Sequence, residues 1–385
     1  MIISVLFCAL QVAHAGTKKD LTNWTDGGSD YKDGAYAYDE KWYENTTSDE
    51  YTISTPEEMG AFAKAAETET FEGKTVKLTA DLDMEKYGWV SIGSAGFKGT
   101  FDGMGHTITN MTYRDATQIK SWGLFHTIDG GTVKNLIITK STFTNEQSGS
   151  TCPSVGGVAA VMKGKGTIQN CGFSGAVKLP FAKGAELLGQ KNGMVGGLVG
   201  VLEEGTIANC YVMNNAPVIP NDTIYGNIAG RSSENSIISN CYYLANDTLP
   251  GAVNVNQIQG TIKNADAKTA DRFAIGEVAY LLNVDNKGVW GQYGDMPVLA
   301  SDNAPVIFKV NYPEEQAHGK VAGNEYAGVG VTVALKSTTD EGYMIKDLKV
   351  SNATLVNYSE FVMPEGDVAV SYAVMAIPTD YIVAF

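Results

Sequence analysis

Five short runs of alternating apolar and polar residues pivot on an asparagine. Ile108, Val133, Ile168, Ile207 and Ile238 stand two positions before Asn110, Asn135, Asn170, Asn209 and Asn240. One position after stand Met111, Leu136, Cys171, Cys210 and Cys241, and three after stand Tyr113, Ile138, Phe173, Val212 and Tyr243. The apolar positions have one parity before the asparagine and the other after it, so two strands of period two meet there at a corner. Asparagine tolerates the left-handed backbone that such a corner needs. The asparagines are spaced 25, 35, 39 and 31 residues apart, which is the spacing of a solenoid. Stacked corners would let the amides hydrogen-bond up the column as a ladder.

The repeat is also visible as a phrase. VGGVAAVMKGKGTIQNC (155–171) returns as VGGLVGVLEEGTIANC (195–210). The extra length falls between the strand after each asparagine and the next glycine-rich strand, at 145–154, 178–193 and 214–223. Insertions at one corner project from one side of a stack, often its binding side; the plainer reading is that they cover a sheet. STPEEMGAFAKAAE (54–67) predicts a capping helix: Thr55 and Glu58 form a capping box, Pro56 opens the helix, and Met59, Phe62, Ala63 and Ala66 share a face. A second helix is expected over 271–283, with Ala274, Val278, Leu281 and Leu282 on one side, closing the repeat region. Beyond it VIFKVNY (306–312), VGVTVAL (329–335) and DVAVSYAV (367–374) predict a small antiparallel β domain.

The series LTADLDM (78–84), WVSIG (89–93), FKGTFDGMGHTITNM (97–111), WGLF (122–125), VGGLVG (195–200) and GTIANCY (205–211) resembles the GLUG-motif family of surface proteins. That family includes adhesin-like proteins of gut bacteria, and its motifs also occur in non-catalytic segments of IgA1-specific metallopeptidases. The resemblance covers about 51–243 and implies a right-handed parallel β-helix and export. The fourth repeat, IAGRSSENSIISNCYY (228–243), lacks two of the glycines and the threonine, so an irregular last coil is expected. GKVAGNEYAGVGVTVALKS (319–337), GYMIKDLKVS (342–351) and FVMPEGDVAVSYAVM (361–375) resemble a divergent internalin-type B repeat, a non-catalytic extracellular module. The organisation expected is a signal peptide (1–15), an N-terminal extension (16–50), a mainly β, right-handed parallel β-helix with its capping helix (51–250), a connector (251–305), a β-rich repeat-type module (306–375) and a tail (376–385).

Composition narrows the function. The 43 glycines against 11 prolines favour tight turns between short strands, and the net charge of −15 repels phosphate backbones and anionic lipid. Nucleic acid and membrane insertion are therefore not expected. MIISVLFCALQVAHA reads as an export signal, its apolar run too short to span a bilayer. Cys8 follows the bulky Phe7, which argues against lipidation.

Catalytic motifs are sparse. His14, His106, His126 and His318 never form HExxH, and no G-x-S-x-G is present. Asp129, Glu203 and Glu234 share a column six before their asparagines, but adjacent rungs bring any two residues together, and solvated turn carboxylates are the simpler reading. Asp102 and His106 offer an acid–base couple within a glycine-rich turn, and Asp81 with Asp83 lacks the ligand count of a calcium cage. No metal or cofactor is expected. Cys171, Cys210 and Cys241 form an inward reduced column, while Cys152 is free to pair with Cys171 after export. Tyr211 and Tyr242, two after their asparagines, point outward as a stacked pair, available to a sugar ring or flat protein surface unless they brace the stack or lie under the 214–223 loop. The sequence reading is an exported, non-catalytic, adhesin-like protein that binds a glycan or a host extracellular protein. Its rivals are a polysaccharide-active enzyme and a structural surface component.

Overall fold

The computed structural model describes residues 39, 41–85, 89–115, 121–145, 154–178, 193–214, 224–245, 251–253 and 258–378. The expected signal peptide, Cys152, most of the three inserted segments and the end of the tail lie outside the described residues.

The chain is mainly β, and its first part is built from parallel ladders. Strands Glu50–Ile53, Thr75–Leu78, Thr100–Asp102, Thr132–Asn145, Gly166–Lys178, Val199–Ala208, Ala229–Leu244 and Thr261–Lys268 pair in parallel, each with the next. Their register aligns Val76, Phe101, Val133, Ile168, Ile207 and Ile238 in one buried column. Thr75, Thr100, Thr132, Thr167 and Thr206 align beside them on the outward side. Alternation explains both columns, because successive side chains of a strand take opposite faces. A second parallel ladder joins Phe125–Asp129, Ala159–Lys163 and the starts of Val199–Ala208 and Ala229–Leu244. A third joins Ser154–Gly156, Met194–Gly196 and Ile224–Gly226. The paired glycines make the tight turn between the third and second ladders, where a side chain at Gly196 would run into the Val199 carbonyl. One apolar core runs through the whole stack, from Tyr51 to Val253.

The N-terminal end is closed by helix α1 (Pro56–Ala65). Glu58 N–H donates to Thr55 Oγ1 at 3.2 Å and Thr55 N–H to Glu58 Oε2 at 3.1 Å, which satisfies donors left open by the first turn. Met59, Phe62 and Ala63 face down into the core, and Phe62 stacks on Phe101 with centroids 5.8 Å apart. Trp42 covers the same end and donates its indole N–H to Thr52 O at 2.7 Å.

Three expectations need correction. Thr261–Lys268, assigned to the connector by sequence, is a further rung: Cys241 aligns with Ala265, and Asn264 has φ 51° as the other corner asparagines do. GTIKN (260–264) repeats GTIQN and GTIAN, but the alanines at 265 and 267 make the apolar signal faint. The helix over 271–283 is broken at Gly276 (φ 88°) into α2 (Ala270–Ala274) and α3 (Glu277–Leu282). That break re-aims the face, so Phe273, Val278, Ala279 and Leu282 are buried while Ala274 is exposed. Finally, the C-terminal sheet, ordered Tyr326–Gly328, Ile307–Asn311, Val368–Ala376, Tyr343–Val350, is mixed rather than antiparallel, because Ile307–Asn311 runs parallel to Val368–Ala376. The irregularity of the fourth repeat is a single register shift opposite Leu202 and Glu204.

Candidate functional site

Two positions after the corner, Ile137, Gly172, Tyr211, Tyr242 and Asp266 align across successive strands. This column points away from the main core, yet from Ile137 to Tyr242 it is buried, and Asp266 at its end is exposed. The connector lies over it. Tyr211 is wholly buried and Tyr242 is 5% exposed, both within a second apolar cluster that includes Phe273, Leu282 and Trp290. The Tyr211 ring meets Trp290 edge-on at 5.6 Å and Phe273 at 6.1 Å, and its hydroxyl donates to Pro297 O at 2.7 Å. Glycine at 172 leaves room for that ring, since a side chain there would collide with it. Tyr242 donates to Asn240 Oδ1 at 2.9 Å and carries the Lys268 ammonium 5.8 Å from its ring centroid. Burial pushes the Tyr211 phenol well up; burial first and then the Asp266 charge push Tyr242 up to about 12. The sequence reading of these tyrosines as an exposed ligand platform is therefore corrected: neither presents a ring face to a partner. They hold the connector against the stack.

At the corners, Asn110, Asn135, Asn170, Asn209 and Asn240 have φ of 58°, 54°, 54°, 53° and 49°. Asn240 Nδ2 donates to Asn209 Oδ1 at 2.8 Å, and Asn170 Nδ2 to Asn135 Oδ1 at 3.0 Å. Nearer the N-terminal end carboxylates take over as acceptors: Asn135 donates to Asp102 at 3.0 Å and Asn110 to Asp83 at 2.9 Å. Asn170 receives the Asn286 amide of the connector at 2.7 Å. The thiols of Cys171, Cys210 and Cys241 are buried and reduced, and each lies over the carbonyl two residues earlier, at 3.3, 3.1 and 3.2 Å. Burial raises the Cys210 thiol well above its ordinary value, so it is a poor nucleophile.

The carboxylate candidates are dispersed. Asp102 does not meet His106: it accepts from Met104 N–H at 2.9 Å and from Asn135, and lies 3.2 Å from the Lys134 ammonium. His106 Nδ1 instead lies 3.2 Å from Asp81 Oδ1, which also accepts Thr107 N–H at 2.8 Å. Asp83 accepts from Asn110 and from Glu85 N–H at 3.0 Å. With donors of the chain on both, Asp81 and Asp83 do not converge as ligands, and no group of three or more metal-ligating side chains occurs among the described residues. Asp129 lies 3.7 Å from the Lys163 ammonium, while Glu203 and Glu234 are exposed beside the register shift. His126 contacts Thr127 Oγ1, and His318 lies 3.0 Å from Asp340 and stacks on Tyr343 at 3.9 Å.

The C-terminal part has its own core of Val310, Val333, Phe361 and Val368. Residues 312–375 match the divergent InlB B-repeat domain. This B-repeat module meets the connector through Tyr280, whose hydroxyl donates to Asp367 Oδ2 at 2.8 Å, and through Arg272, 3.0 Å from Glu325. Among solved structures, a Bacteroides ovatus protein named provisionally as an immunoglobulin A1 protease is similar over 65% of this chain and 91% of its own. It shares 18% identity at a TM-score of 0.40, a likeness that carries no weight for fold or activity. No curated protein matches the chain. No helix among the described residues is long and apolar enough to cross a membrane.

Proposed function

We propose that this protein is an exported, non-catalytic binding protein of the cell surface, in which a right-handed parallel β-helix of GLUG type carries a B-repeat module toward a glycan or host protein. The observation that carries the reading is the B-repeat match over 312–375, a module typical of surface proteins. The β-helix reading is supported by three parallel ladders in register, and its hand by the strong preference of parallel crossovers for right-handed connection. The non-catalytic reading is supported by the engagement of Asp81, Asp83, Asp102 and Asp129 with neighbouring donors of the stack. Loss of the tyrosine platform moves the binding surface away from the Asn corner.

The test is exposure of purified residues 16–385 to glycans, mucins and matrix proteins. Saturable retention is expected. Absence of any partner favours the structural surface role instead.

A further inference from the structure

A cleft of about 920 Å³ opens between the connector and the B-repeat module. Clefts of this scale bury ligand-sized groups, and they concentrate at junctions between parts of a chain. The floor is largely aliphatic, with Val306, Ile307 and Val329 continued by Val284 just past α3. Val284 leaves 52% of its surface open beside the buried Ile307, so apolar surface here has no cover.

The charged groups differ in how far they are committed. Asp367 is held from two sides, by the Tyr280 hydroxyl at 2.8 Å and by Lys309 N–H at 2.9 Å. Glu365 and Lys287 also line the cleft, and among the described residues neither has an ion-pair or hydrogen-bond partner. Two carboxylates against one ammonium leave the cleft net negative, within a chain of net charge −15. Such a cleft attracts a cationic group. Its only tyrosine is already used, with its ring 5.4 Å from Tyr326 and its hydroxyl on Asp367. Phe308, the other aromatic side chain of the lining, is packed against the core of the B-repeat module, so neither ring favours sugar stacking, whereas the aliphatic floor suits an apolar side chain.

We infer that this cleft docks an extended peptide segment carrying a large apolar side chain beside a basic one. The inference rests on the binding-protein reading above and gives it a site. The apolar side chain covers Val284 and Val329, the basic group pairs with Glu365, and Lys287 meets a carbonyl of the segment from the connector side.

The test is fluorescence polarisation of residues 16–385 with labelled octapeptides in which leucine or phenylalanine is flanked by arginine, with glutamate-flanked and serine-flanked peptides as controls. The arginine-flanked set should bind at least about tenfold more tightly than the glutamate-flanked set, and the preference should shrink with added salt. Glu365→Lys should erase the preference, and Val284→Asp should remove binding of every peptide. Both side chains are exposed, so thermal unfolding should not move, and an unchanged melting curve separates lost docking from lost fold. Equal binding of the three sets, binding that survives both substitutions, or no peptide binding would overturn the inference. If peptides fail while a glycan or matrix protein is still retained by the Val284→Asp chain, the cleft is wrong and the binding reading stands. If every probe fails, both fall. Dimerisation abolished by the same substitutions would give the groove to a second copy and overturn the peptide.

Discussion

The side-chain amide of Asn286 donates to Asn170 Oδ1 at 2.7 Å, joining the connector to a corner of the repeat stack across 116 residues of sequence. The connector therefore extends the asparagine ladder sideways as well as covering the tyrosines. Asn286→Ala should lower stability by about 0.5–1.5 kcal/mol, the net worth of such a bond. Urea unfolding measures the loss, and hydrogen exchange should localise it to the connector.

Tyr211 separates packing from hydrogen bonding. Tyr211→Phe keeps the ring against Trp290 and loses the bond to Pro297, an expected cost of about 0.5–1.5 kcal/mol. Tyr211→Ala also opens a cavity and should cost about 3–5 kcal/mol. Chemical denaturation of the two variants checks the ordering, and neither change should remove a ligand contact, since Tyr211 is wholly buried.

The corner at Asn209 combines a positive φ of 53° with the bond from Asn240 at 2.8 Å. Asn209→Gly should preserve the backbone and lose the bond. Asn209→Ala should lose the bond and add left-handed strain of about 1–2 kcal/mol. A larger shift in the unfolding midpoint for alanine than for glycine is the expected outcome.

Alkaline pH should weaken the fold from the tyrosine side. Burial is the largest cause that pushes both Tyr225 and Tyr242 up to about 12 from an ordinary value of 10.0. The unfolded phenols ionise first, so the native state then holds more protons and stability falls as pH rises. Stability should be fully present below pH 10 and decline between 10 and about 12. The double variant Tyr225→Phe/Tyr242→Phe should show a shallower decline in a pH series of denaturation curves.

Where the sequence speaks through local chemistry, the structure reads directly from it. A left-handed corner demands asparagine or glycine, a first helical turn demands acceptors such as Thr55 and Glu58, and a stacked interior demands Ile, Val and Phe in fixed register. Asn264 escaped because its rung carries Ala265 and Ala267 in place of large apolar residues. The split at Gly276 escaped because the helical period continues across it, while only the tertiary setting selects the left-handed state. The fate of Tyr211 was legible only as an alternative, that it braces the stack or lies under a loop. Its parity announces that it leaves the main core, but what covers it is set by Phe273, Trp290 and Pro297, far along the chain. No period in the sequence says on which face a connector will lie. The cleft beside Val284 and Glu365 is hidden for the same reason, since its walls come from segments with no common motif.

The most direct test of the central claim is a mass balance on ligand. Residues 16–385 are incubated with immobilised mucin and matrix proteins, and the protein retained is measured together with the sugar and peptide released. Saturable retention with the ligand left intact is the expected result. Progressive release of reducing sugar or peptide fragments, growing with time and with protein concentration, would contradict it and make this chain an enzyme.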